Sequence, residues 1–151
     1  MTEPQGGWLS ESQQKTWRSY LLAKTHIEQY LEGALEDYGL SLPEYELLVR
    51  LSESPEHTIR MGELAASVGH SRSRLTHTVK RMEQAGYVVR ESCASDGRGV
   101  QARMTESGYD LLKRAAPAHV DSVRRVFVDA IAPDDYAALG RAMSSVLAVA
   151  D

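Results

Sequence analysis

"MGELAASVGHSRSRLTHTVKRMEQAGYVVRESCASDGRGVQARMT", residues Met61 to Thr105, holds two short helical patterns, a glycine between them, and two strand-like runs around an Asp-Gly-Arg-Gly turn. Met61, Leu64, Ala65 and Val68 recur at i, i+3, i+4 and i+7, the spacing of one helix face, and Gly69 closes that helix. Ser71 is placed to cap a second helix, whose inner stripe is Leu75, Val79 and Met82 and which Gly86 ends. Two helices joined by a tight glycine turn make a helix-turn-helix. "YVVRES" and "VQARMT" flank "CASDGRG" with β-branched and aromatic residues on either side of an Asp-Gly signal, which predicts a hairpin, or wing.

Working outward, Trp17, Tyr20, Leu21, Ile27, Leu31, Ala34, Leu35 and Tyr38 describe one long amphipathic helix from about Ser12 to Tyr38, stopped by Gly39. "SLPEYELLVRLSESP" predicts another, with Ser41 as N-cap, Pro43 in the first turn, Leu48 and Leu51 facing inward, and Pro55 as the stop. Beyond the wing, Thr105 is placed to cap a helix. Its stripe of Tyr109, Leu112, Ala116, Val120, Val123, Phe127 and Ile131 is expected to bend at Pro117. Pro133 starts a last helix carrying Tyr136, Leu139, Met143, Val146 and Leu147. The fold class is therefore mainly α with a small β-hairpin wing: a winged helix-turn-helix with a helical region from the two chain ends.

The 151 residues carry a formal charge of -4, yet the charge is uneven. Between His70 and Arg103 seven Arg and Lys face three acids, whereas the rest of the chain holds ten against eighteen. A basic segment on an acidic body marks a polyanion-binding face whose other surfaces repel the polyanion. With Leu75, Val79 and Met82 inward, a rotation of about 100° per residue points Ser73 and His77 directly outward. Arg74, Thr76, Lys80 and Arg81 flank them, with Ser71 and Arg72 at the helix start. Such a face suits a major groove, with short polar or imidazole groups on base edges and cations on phosphates. Arg98, at the hairpin tip, is placed to enter the adjacent minor groove, with Gly97 and Gly99 clearing its approach. Asp96, a carboxylate that phosphate would repel, is expected to hold the turn or orient Arg98.

These residues, in this order over nearly the whole chain, resemble the MarR family of multiple antibiotic resistance regulators. The most specific are the run ending "RMEQAGYVVR", the Asp96-x-Arg98 pair and "MTESG". The resemblance implies an obligate homodimer of winged helix-turn-helix subunits on palindromic double-stranded DNA, usually a repressor, often released by a small phenolic or lipophilic effector. It implies the minor-groove role for the arginine at position 98. It also implies an effector pocket between the dimer helices and the DNA-binding lobe, for which Trp17, Tyr20, His26, Tyr30, Tyr45 and His119 are the polar and aromatic candidates.

A dimer is expected from the residues as well, because the apolar stripes at the two chain ends exceed what one small lobe can cover. The division expected is a tail over 1–10, a dimerisation region over 11–38 and 108–151, and a DNA-binding lobe over 40–107. The competing reading is a winged helix that assembles proteins without reading DNA. Such a module requires apolar anchors on the outward helix face, where this sequence has Ser73, Arg74, His77 and Lys80. Enzyme signatures are absent: no Gly-rich phosphate loop, no HExxH and no GxSxG. The five His lie scattered, so no metal or other cofactor is expected. Cys93 excludes an internal disulfide and reads as a plain strand cysteine, since redox-sensing relatives carry their thiol near the start of the first helix. With no leader-like segment and no apolar run near the roughly 18 residues of a spanning helix, the expected location is the cytoplasm, away from the membrane.

Overall fold

A computed structural model describes residues 7–68, 71–93 and 99–150. Helix α1 (Glu11–Leu35) ends in a 3-10 turn at Glu36–Tyr38, and Gly39 takes the left-handed conformation, φ 66°, that reverses the chain. Then follow α2 (Leu42–Ser52), a turn at Pro55–His57, β1 (Thr58–Arg60), α3 (Met61–Val68), α4 (Arg72–Gln84), β2 (Val88–Ser92) and β3 (Val100–Met104). Helix α5 (Glu106–Val123) continues into a π-helical turn at Arg124–Val128, and α6 (Pro133–Leu147) closes the chain.

The starts of α1, α2, α4, α5 and α6 rest on local chemistry. Ser10 and Gln13 form a reciprocal capping box on α1. Ser41, Ser71 and Thr105 each accept a backbone N–H three residues on, from Glu44, Arg74 and Gly108. Pro133 stands at the first turn of α6. Two details differ from the sequence reading. Helix α5 runs on through Pro117, and the irregular turn comes later, at Arg124–Val128. The wing is part of a three-stranded antiparallel sheet in the order β1-β3-β2, with Ile59 opposite Ala102 and Arg90 opposite Ala102 from the other side.

One core joins these elements. Leu47, Leu48 and Leu51 of α2, Leu64 of α3, Leu75, Val79 and Met82 of α4, and Val88 and Ala102 of the sheet are buried together. Leu35 of α1 and Leu111, Leu112 and Ala115 of α5 belong to the same cluster, so the lobe and the long helices share a core. Burying each of these Leu, Val and Met side chains contributes about 1.5–3 kcal/mol.

The inner face of α5 is not the stripe read from sequence. The buried positions are Gly108, Leu111, Leu112, Ala115 and Ser122, whereas Tyr109 and Val120 of the expected stripe stay exposed. At about 100° per residue the two stripes lie about 110° apart on one helix. Only Leu112 of the expected stripe is buried. Helix α6 buries no residue at all, leaving Met143, Val146 and Leu147 open, and Trp17, Tyr20, Leu21 and Leu22 of α1 are likewise exposed.

Candidate nucleic-acid interface

Helix α4 lies across the core on Leu75, Thr78, Val79 and Met82 and turns Ser73, Arg74, Thr76, His77 and Lys80 to solvent. Its start is fixed by the Ser71 hydroxyl, which accepts the Arg74 N–H at 3.3 Å and lies 3.4 Å from the Ser73 hydroxyl. Buried Thr78 donates its hydroxyl to the Arg74 carbonyl at 3.1 Å, the satisfaction a hydroxyl needs away from water. Thr76 donates to the Arg72 carbonyl at 2.8 Å, so its hydroxyl is turned along the helix.

The cations counted from sequence divide into two sets. Arg81 sits on the flank toward α2 and pairs with Glu44 at 3.3 Å; Glu44 in turn accepts a hydrogen bond from the Ser41 hydroxyl at 3.0 Å. Arg90 pairs with Glu83 at 3.0 Å and also donates its backbone N–H to that carboxylate, which holds the Glu83 carboxyl below the usual carboxylate range. Arg103 pairs with Glu91 at 3.3 Å. Arg72, Arg74 and Lys80 form no ion pair among the described residues, and they carry the open positive charge of α4. These pairings lie between elements and leave no periodic signal in sequence.

Asp96, Gly97 and Arg98 lie outside the described residues. Gly99, at the wing root, is described, and its lack of a side chain has a cause inside the protein. A Cβ there would stand 2.9 Å from Arg60 Nη1 and 3.0 Å from Cys93 Sγ. The Cys93 N–H donates to the Gly99 carbonyl at 2.9 Å, closing the base of the hairpin, and the Cys93 side chain is buried.

The six residues named for an effector pocket fall into three ring pairs. Trp17 and Tyr20 stack on exposed α1 at 5.6 Å between centroids, and His26 meets Tyr30 at 6.5 Å, on a side of α1 turned about 130° away. Tyr45 of α2 and His119 of α5 meet at 4.2 Å inside the protein. Burial raises the Tyr45 hydroxyl and lowers the His119 imidazole from their ordinary values. His119 Nδ1 is enclosed without a hydrogen-bond partner. Only this last pair spans two elements.

Comparison with known proteins places this geometry. A model described as MarR family matches residues 38–99. AbsC, a MarR family transcriptional regulator from Streptomyces coelicolor, superimposes with a TM-score of 0.89 at 42% identity over 93% of this chain and 95% of its own. The chain belongs to the MarR family. Sco3205, a second MarR family regulator from the same organism solved in complex with DNA, matches at 44% identity and TM-score 0.89 over 93% and 89% of the two chains. The transcriptional repressor Rv2887 of Mycobacterium tuberculosis is 33% identical over 68% of this chain and 73% of its own. The chain spans 61% of the length of a more distant regulator, PecS of Dickeya dadantii. With this membership, and with Ser73, Arg74, His77 and Lys80 exposed where an assembly module needs apolar anchors, the winged helix is that of a DNA-binding transcriptional regulator.

Proposed function

We propose that the protein is a homodimeric repressor that binds an inverted-repeat operator and leaves it on taking up a small phenolic or lipophilic effector. Each protomer lays α4 in a major groove, with Ser73 and His77 outermost, Arg72, Arg74, Thr76 and Lys80 on the flanks and Ser71 at the backbone. Arg81 meets phosphate by exchanging its Glu44 partner. Arg98 enters the next minor groove, Asp96 orients it, and Gly97 and Gly99 give the wing its shape. The observation that carries this reading is the outward face of α4, exposed, cationic and free of large apolar side chains.

The dimerisation region is 11–38 with 108–151, around a lobe of 40–107. The supporting observation is the run of uncovered apolar side chains on α1, α5 and α6, more than an isolated chain ordinarily exposes. A two-fold dimer sets two recognition helices about one DNA turn apart. For the effector, Tyr45 and His119 are the favoured anchors. His119 Nδ1 is an unused hydrogen-bonding atom beside a buried phenol ring, where the lobe meets α5.

Mobility shift on an operator selected from genomic fragments tests the reading. Affinity falls steeply as salt rises, and Arg98→Ala weakens binding to A·T-flanked sites with the dimer intact. Flat salt dependence, or an Arg98→Ala variant that binds as wild type does, refutes it.

A further inference from the structure

Thr76 stands on α4 next to buried Leu75, yet it is exposed and belongs to no part of the core. An exposed helix position is better filled by alanine or a long straight chain, because a β-branched residue loses side-chain freedom against the preceding turn. The Thr76 hydroxyl does not explain the choice by reaching outward: it donates to the Arg72 carbonyl at 2.8 Å, within the helix. Its one proton is thereby committed, and the γ-methyl is the branch of the side chain that the helix leaves unused. Thr76 lies about 100° round the helix from Leu75, on the same flank as Arg72 at about 60°. That flank faces a cavity at the wing root, and apolar Met61, Leu75 and Val100 line it beside Thr76, together with charged Arg60, Glu63 and Arg72. Ser73 and His77 point directly away from the core, so Thr76 stands at the side of the reading face toward the wing.

The flank on which Thr76 stands decides what it meets in a duplex. The hydrogen-bonding edges of the bases fill the middle of the major groove, whereas the 5-methyl group of thymine stands toward the margin, beside the sugar-phosphate chain of its own strand. A helix seated in that groove turns its outermost side chains to the middle and its flanks to the margins. We infer that Thr76 selects thymine, its γ-methyl packing on the 5-methyl group of a thymine in the strand that runs between α4 and the wing. This rests on the reading of α4 as the helix that enters the major groove. With its proton held by the Arg72 carbonyl, the hydroxyl offers no donor to a base acceptor, so the selection turns on a methyl group against a hydrogen. Cytosine and uracil both lack that methyl and are both rejected.

The test is binding by the full chain to an operator selected from genomic fragments, in which each thymine is replaced singly by deoxyuridine. That replacement removes the methyl and keeps every hydrogen-bonding group. Wild type loses about fourfold in affinity at one thymine of the wing-side strand, the worth of one buried methyl, and the ratio is the same at low and high salt. Thr76→Ser keeps the hydroxyl bond and removes the methyl: it binds the thymine site about fourfold more weakly and no longer distinguishes deoxyuridine. Thr76→Val keeps a branch methyl and still distinguishes them. Each variant is first checked for unchanged helical content by circular dichroism. The inference is overturned if Thr76→Ser distinguishes the two sites as wild type does, or if Thr76→Val alone loses the distinction. It is overturned equally if wild type tolerates deoxyuridine everywhere, or selects an operator without thymine on that strand. In all these cases wild type still binds its operator, and the regulator reading stands. If wild type binds no duplex at all, that reading falls, and this one with it.

Discussion

Thr105 closes the sheet onto α5 through three bonds. Its hydroxyl donates to the Gly86 carbonyl at 2.7 Å and accepts the Gly108 N–H at 3.1 Å, while its own N–H donates to the Tyr87 carbonyl at 3.0 Å. Gly108 completes the joint by having no side chain, since a Cβ there would collide with the Tyr87 carbonyl. The Gly108→Ala variant is therefore expected to lose about 2 kcal/mol, in the range of overpacking, because the obstacle is backbone and cannot swing aside. Urea denaturation reads this directly, and an unshifted midpoint contradicts it. At this scale the caps were legible: Ser41, Ser71 and Thr105 stand a fixed three residues from the N–H they accept. The partner of Arg81 was not, because Glu44 lies thirty-seven positions away in the chain and only packing brings α2 beside α4. Gly99 was legible as a glycine the wing requires, but the space it clears is taken by Arg60 and Cys93, both set there by the fold.

At the scale of elements, apolar periodicity recovered every α-helix, and it failed in two instructive places. Strand β1 has three residues, too few for alternation to register, and exists because Thr58, Ile59 and Arg60 pair with Arg103, Ala102 and Gln101. Its approach bends through Glu56 and His57, both at φ 54°, a left-handed pair with no glycine to announce it. In α5 the sequence offers two apolar stripes, and hydrophobicity alone does not say which one the lobe buries. Where α2 meets α5, partial burial holds the His119 imidazole below its ordinary value of 6.5. As pH falls through about 6.5 the unfolded chain takes up a proton that the folded chain resists, so acidification favours unfolding. Stability is thus full above that value and declines below it until the folded imidazole is itself protonated. His119→Phe keeps a ring against Tyr45 and removes the proton. Denaturation midpoints from about pH 7.5 to 5.5 should fall more steeply for wild type than for this variant, and parallel curves would exclude the effect.

For the whole molecule, the exposed stripe of α5 and the unburied α6 set the expected assembly. Val120, half exposed on that outer stripe, is the sensitive position. Val120→Glu should leave helical content unchanged by circular dichroism and halve the mass seen by light scattering, because a carboxylate buried unpaired at an interface costs several kcal/mol. A variant that keeps the wild-type mass would place the contact elsewhere. The sequence announced the surplus of apolar surface, though not its arrangement, since only the folded lobe reveals what remains uncovered.

Strand β3 passes into α5 with Thr105 as the single residue between them. The hairpin and the long helix therefore form one stiff arm with no slack at the joint. An 18-residue helix is roughly 27 Å long, so tilting it by about 10° about its far end moves the hairpin root by about 5 Å, more than the 3.4 Å rise of a base step. In the dimer proposed above, a small change of angle between the two chains is enough to take both hairpins out of step with the grooves.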